Sequence, residues 1–470
     1  MPTLASAPAV REVVATPAQL CWLAAHRPRD FPVFFDSAAT GALGRYSLLC
    51  AFPDASLLLR GDGRLEAQGM RAQTKDFLTA LDEWWRTLAA PASPVPDGLP
   101  FRGGWVVYLG YDLVGLLERG LRLPRLPDNA LCAVALRIRA ALIYDHARSR
   151  CVAIAEPEAQ DQLPRLEAAL AAACLAESTR DMPEPGRAVE EQDPSAFRDA
   201  VVRAQAYIGA GDIYQANLSR GWRVPGVSPG AVGAWYGRLR QVNPAPFGAL
   251  ANLPGLTLLS SSPERLVQVR DGRVETRPIA GTRARSWAGS GAVDSSAVDS
   301  DQSERAELLA NFKERAEHVM LIDLERNDLG RICRTGSVEV NEFMVTESYP
   351  HVHHIVSNVR GVLRPEVTPG EVLRAVFPGG TITGCPKYRC MQIIGELEGE
   401  ARGAYTGSLG YLNLDGSMDF NILIRTATLC GEELRFRAGA GIVADSDWQR
   451  ELAETRAKAR GLVRAFGAAA

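Results

Sequence analysis

At 470 residues, 46% of them hydrophobic and with a formal net charge of -3, the chain can bury a sizeable core and is too apolar to be disordered. The balance of 52 Lys and Arg against 55 Asp and Glu gives no basic excess, which argues against a nucleic-acid binder. No apolar run approaches the roughly 20 residues of a membrane helix. The N-terminus lacks the basic-then-apolar order of a signal peptide. Nine cysteines scattered without a CxxC pair fit reduced thiols in a cytoplasm.

Residues 1–180 read as a first unit. Apolar strands are predicted at 33–35, 45–52, 105–115 and 132–145, with helices at 75–90 and 163–178. The charged, proline-bearing stretch 181–195 reads as a linker. Its Asp193-Pro194 predicts a cap and first residue for the next helix, 197–211. Residues 196–470 read as the second unit, with strands at 216–224, 257–262, 265–270 and 273–281 and an amphipathic helix over 303–331. Further strands lead to a last helix near 447–466. Turn signals at 414–416 and 430–433 predict antiparallel hairpins. No strand precedes a GxGxxG or Walker motif, so nucleotide folds lose support.

Two helices each carry carboxylates three residues apart, Glu314 with Glu317 and Glu451 with Glu454, and Lys458 follows one turn later. Such pairs share a helix face. Facing each other they could hold a hard cation such as Mg²⁺ with waters kept; two solvated helix faces would give the same pattern. The small-residue stretch AGAGIVADS (438–446) reads as a turn whose free N–H groups suit a carboxylate, or as a turn that merely permits packing. Arg425 reads as a charge within an apolar strand over 421–429, either clamping a carboxylate or facing solvent at an edge. Four of the six histidines lie between 318 and 354; the adjacent His353 and His354 would point to opposite faces of a strand, so one metal site using both is disfavoured. FPGGTITGCPKYR (377–389) is a Gly/Thr-rich loop ending in Pro-Lys that could cradle an anion.

Taken together, the motifs GDIYQANLSR (211–220), SSSPERL (260–266), RPIAGTRAR (277–285), KERAEHVMLIDLERNDLGR (313–331), HVHHIVS (351–357), FPGGTITGCPKYRCMQII (377–394), GAYTGSLGY (403–411), MDFNILIRT (418–426) and AGAGIVADSD (438–447) resemble the chorismate-utilising enzymes. That family comprises anthranilate and aminodeoxychorismate synthase large subunits, isochorismate synthases and salicylate synthases. The resemblance implies an α+β fold of two packed antiparallel β-sheets with helices outside. It implies Mg²⁺ held directly by Glu317 and Glu454, with Glu314 and Glu451 in support. It implies that Arg425 and Tyr405 grip a carboxylate of chorismate, helped by the backbone of Gly439, Ala440 and Gly441. Lys458, Thr381, Gly281 and Thr282 are implied to line the substrate. Glu264 matches the acid that protonates the departing C4 hydroxyl, and His354 the active-site histidine.

Water-using members of the family carry a lysine where this chain has Gln215, so the resemblance implies ammonia as nucleophile. The ammonia would come from glutamine through a separate amidotransferase subunit. YQAN (214–217), NPAPF (243–247) and TITG (381–384) resemble the aminodeoxychorismate branch. Ala280 stands where many of that branch carry a lysine, and resembles anthranilate synthases instead. Aminodeoxychorismate synthase is the expectation, with anthranilate synthase as runner-up and a non-catalytic chorismate- or tryptophan-binding regulator as a remote third. The run FFDSA places Ser37 where anthranilate synthases bind feedback tryptophan, in a pocket that is structural, vestigial or regulatory here.

Overall fold

The computed structural model describes residues 7–39, 41, 43–90, 98–176, 186–284, 312–348 and 352–467, without side chains at 175–176, 280–284, 312–314, 348 and 352–354. The described strands form two sheets in which every paired strand runs antiparallel. One sheet runs Ala9–Val13, Arg150–Ala155, Ala140–Asp145, Tyr46–Ala51, Val33–Asp36, Phe247–Leu253, Leu256–Ser262, Thr426–Cys430, Glu433–Ile442, Gln215–Pro225 and Glu190–Glu191. The other runs Ile279–Ala284, Val352–Val362, Arg273–Thr276, Arg265–Arg270, Met418–Asn421, Ser408–Asn413, Gly104–Leu109, Leu131–Ile138, Ala55–Arg60 and Leu65–Gln68. Both sheets therefore draw strands from either side of 181–195. Asp193 caps the Pro194–Gly209 helix by accepting the Ser195 N–H, with proline in the first turn.

Successive strand residues point to opposite faces, and the chain uses both faces. Leu48 and Cys50 join Leu58, Val106, Val134 and Leu136 in a core between the sheets. Their neighbours Leu49 and Ala51 pack outward with Leu20, Leu23 and Leu166 of the outer helices. On the second sheet Leu57, Leu59, Ala133 and Ala135 face the layer holding Phe77, Leu81 and Trp84. Burial on both faces is why these strands read as unbroken apolar runs.

Three runs expected as single strands are interrupted. The run 132–145 splits at Arg139 into one strand in each sheet. Arg137 and Arg139 hold that corner, both bonded to the buried Glu156. The stretch 273–281 breaks at Pro278, which has no N–H for a ladder. The strand expected over 421–429 breaks at 422–425, where the chain leaves one sheet and enters the other. At 105–115 the strand ends at Leu109 and short helical turns follow.

The helix expected over 303–331 is described from Phe312 to Gly330; residues 303–311 lie outside the described residues. Among the described residues no helix is long and apolar enough to cross a membrane. All nine cysteines are free. At Gly410 a Cβ would lie 2.3 Å from the Asp419 carbonyl oxygen and 2.5 Å from Phe420 Cγ. Gly410→Ala is therefore expected to destabilise the protein by about 2–3 kcal/mol, read as a fall in the urea midpoint at unchanged slope.

Candidate active site

The site is built where Gln215–Pro225 pairs with Glu433–Ile442. Asn217 lies opposite Gly441, Leu218 opposite Ala440 and Ser219 opposite Gly439. Helices Pro194–Gly209, Lys387–Glu398 and Trp448–Phe466 cover the outer face of these strands through Val201, Ile393, Ile394 and Leu452. The expected turn at 438–446 is thus a strand as far as Ile442, because Ala438 to Ile442 enter an antiparallel ladder. The ladder to the Thr426–Cys430 strand stops at Phe436, so beyond it the second edge of this strand is left without a partner strand among the described residues.

Three groups of side chains gather here. In the first, Gln215 donates through Nε2 to Glu317 Oε1 at 2.7 Å. A Cβ at Gly441 would stand 2.3 Å from Gln215 Nε2 and 3.3 Å from Glu317 Oε1, so glycine leaves the room in which these side chains meet. Gly441→Ala is expected to keep the fold, since only side-chain ends must move. It should push Gln215 off Glu317 and lower kcat/KM by roughly 10-fold or more. Steady-state kinetics beside a melting curve checks both halves.

In the second group, Asn217 shares the Gln215 face of the strand, two residues on. Its Nδ2 donates to the Thr381 carbonyl at 3.4 Å, and its Oδ1 is buried without a partner among the described residues. A Cβ at Gly439 would lie 2.5 Å from that Oδ1 and 2.7 Å from the Tyr405 hydroxyl. Behind Tyr405 the buried Arg402 is fixed by Glu398 and by the Asn217 and Ile382 carbonyls.

The third group centres on Glu264, 6% exposed, whose Oε1 accepts from the Thr381 hydroxyl at 2.8 Å. Burial pushes its carboxyl up to about 7, against the Thr381 bond and the charges of Lys458 and Arg425. A carboxylic acid near neutrality can give up a proton in water-poor surroundings. Arg425 is half-buried at the crossing between sheets, with a left-handed backbone at φ 49°. Arg425 therefore stands at a strand break and not within an apolar strand, since the chain must turn there to change sheets. Burial lowers its pKa while the charge of Glu264 raises it. Its guanidinium has no hydrogen-bond or ion-pair partner among the described residues, the condition of a cation awaiting an anion.

Glu451 is buried and accepts from the Ser446 hydroxyl at 2.7 Å. Glu454 is exposed and paired with Lys458 at 2.7 Å. Among the described residues no three His, Cys, Asp or Glu side chains form a metal cluster. Mg²⁺ commonly takes one or two carboxylates and keeps waters, so the oxygen donors of Glu317 and Glu454 fit its chemistry. The side chains of Gly281, Thr282, Glu314 and His354 lie outside the described residues. The backbone pairs Thr282 with His354 across adjacent strands.

Ser37 lies elsewhere, beside a cavity of about 510 Å³ between the sheets that Arg45, Tyr46, Tyr411 and Met418 also line. Its hydroxyl donates to the Tyr46 and Pro246 carbonyls, as a structural serine would. Lys387, in the loop expected to cradle an anion, is instead spent on the buried Asp328.

A buried carboxylic acid acted on by the charges of Lys458 and Arg425, beside a glycine-bearing strand, suits a small anionic substrate. The chain belongs to the chorismate-binding enzyme family, whose model matches residues 52–464. It is 38% identical over 442 residues to aminodeoxychorismate synthase component 1 of Bacillus subtilis, covering 90% of this chain and 89% of that one. It is 40% identical over 452 residues to anthranilate synthase component 1 of Thermus thermophilus, covering 92% of each. The crystal structure of anthranilate synthase component I from Streptococcus pneumoniae superposes with a TM-score of 0.76 at 31% identity, covering 90% of this chain and 92% of that one.

Proposed function

We propose that this chain is the large subunit of an aminodeoxychorismate synthase, replacing the C4 hydroxyl of chorismate with ammonia to give 4-amino-4-deoxychorismate and water. The observation that carries the reading is the Glu264 carboxyl, buried, held by Thr381 and faced by Lys458 and Arg425. Hydroxide is a poor leaving group, and a carboxylic acid that still holds its proton near neutral pH turns it into water. Arg425 offers a fork that matches a carboxylate of the dianionic substrate, and the Tyr405 hydroxyl, close against Gly439, would assist in gripping it. Glu317 and Glu454 would hold Mg²⁺, which would draw electron density toward the ring carboxylate.

Gln215 supports ammonia over water as nucleophile, because an amide cannot act as base and ammonia needs none. The relatives' designation as component 1 supports a partner subunit, here a glutamine amidotransferase supplying ammonia. YQAN at 214–217 favours the aminodeoxychorismate branch. Ala280 favours a second reading, anthranilate synthase, because it removes the lysine that would attack the ring covalently. Chorismate with Mg²⁺ and ammonium should yield a product that the following pathway lyase converts to 4-aminobenzoate. Fluorescent anthranilate without 4-aminobenzoate would overturn the first reading in favour of the second. Tryptophan titrated against intrinsic fluorescence tests whether the Ser37 cavity is regulatory.

A further inference from the structure

The turn that carries Thr381, Gly380–Ile382, is tied at its carbonyls by Thr383, Asn217 and Arg402, and at its Gly380 N–H by the neighbouring helix. It rests on the Phe312–Gly330 helix so closely that a Cβ on Gly380 would meet Leu324 Cδ2 at 2.7 Å and Glu325 Oε1 at 3.0 Å. The Gly380 N–H donates to Glu325 Oε1 at 3.3 Å. Glu325 is 4% exposed and Asp328, one helical turn on, is 3% exposed. Two carboxylates so deeply buried are costly unless compensated.

The compensation comes from Lys387, which donates through Nζ to Asp328 Oδ2. Lys387 is the first residue of the Lys387–Glu398 helix, where the helix dipole disfavours a cation, so the carboxylates account for its place. The Thr276 hydroxyl completes the surroundings of Glu325. Burial, then the charge of Asp328, pushes the Glu325 carboxyl up, against Lys387 and the bonds from Gly380 and Thr276. One lysine thus balances two carboxyls when one of them keeps its proton.

We propose that Glu325, held by Asp328 and Lys387, is a positioning residue for the proton donor Glu264, fixing the Gly380–Ile382 turn so that the Thr381 hydroxyl stays on the Glu264 carboxyl. Glu325 touches no substrate and acts through Gly380 and Thr381. The inference rests on the reading of Glu264 as the acid. Its sign follows from the hydrogen bond. Thr381 donates to the Glu264 carboxylate and so favours the charged form; loosening that bond raises the Glu264 pKa. Lys458 and Arg425, the other charged groups acting on Glu264, are untouched by the change.

The test compares wild type with Thr381→Val, Glu325→Met and Glu325→Gln. In Glu325→Met the basic limb of the pH–rate profile is expected to move up by about one unit, toward its position in Thr381→Val. kcat should fall roughly 10-fold with KM nearly unchanged. Glu325→Gln keeps a carbonyl acceptor for the Gly380 N–H and should restore the limb. The double variant Thr381→Val/Glu325→Met should move it no further than Thr381→Val alone.

A limb unmoved in Glu325→Met, moved equally in Glu325→Gln, or moved additively in the double variant overturns the proposal. Should Glu325→Met fail to fold, the shorter Glu325→Asp should shift the limb the same way by less, and no shift there overturns it equally. The Glu264 carboxyl can also be titrated by infrared difference spectroscopy without substrate, assigned by the band lost in Glu264→Gln. If wild type does not turn over chorismate, the proposed function falls and the infrared midpoints alone decide this inference.

Discussion

Glu264→Gln is expected to lose turnover of chorismate by roughly 10²–10⁴-fold while the protein folds and still binds its substrate. Glutamine preserves the shape and still accepts from the Thr381 hydroxyl, which wild type bonds at 2.8 Å. What it removes is the proton. The loss should therefore fall on kcat, with KM little changed, the signature of an interaction made in the transition state. The pH dependence supplies a second reading of the same group. With the carboxyl at about 7, wild-type activity should decline as pH rises through that value, because the acid is lost. The residual activity of the variant should lack that decline. A variant retaining most of the wild-type kcat would move the proton donor elsewhere.

Glu264 could be singled out before any coordinates because its motif, SSSPERL, is distinctive. Its burial, and with it the reason it holds a proton near neutrality, appears only once two sheets close around it. Arg425 shows the opposite case. Its flanks are apolar on both sides, so periodicity alone predicts one continuous strand. The register instead makes it the residue at which the chain changes sheets, and pattern alone carries no information about which sheet a strand joins. The same blindness explains the run that breaks at Arg139, where the apolar pattern continues into the other sheet. The small residues at 438–442 resemble a turn because Gly and Ala are poor strand formers; here small residues are needed so that Gln215, Asn217 and Tyr405 can approach the backbone. Glu325 and Asp328 sit in the polar tail of an amphipathic helix and look like solvated charges. The one sequence clue was the Gly-Gly pair at 379–380, which signals a close approach by something that a side chain would block.

Glu317→Gln is the complementary experiment at the Gln215 end of the site. Glu317 accepts from Gln215 at 2.7 Å, and a glutamine there can keep that hydrogen bond through its carbonyl oxygen. Neither the strand pairing nor the helix depends on its charge, so the melting temperature should change little. Its charge is what a hard cation needs: Mg²⁺ selects anionic oxygen, and an amide oxygen in its place weakens binding sharply. The variant is expected to lose at least about 100-fold in turnover at a Mg²⁺ concentration that saturates wild type, part of it recovered at higher Mg²⁺. Calorimetric titration with Mg²⁺ in the presence of chorismate gives the same answer without relying on catalysis. Glu264→Gln should bind the ion normally in that titration and Glu317→Gln should not. Equal Mg²⁺ affinity in the two variants would detach Glu317 from the metal and leave its bond to Gln215 as its whole role.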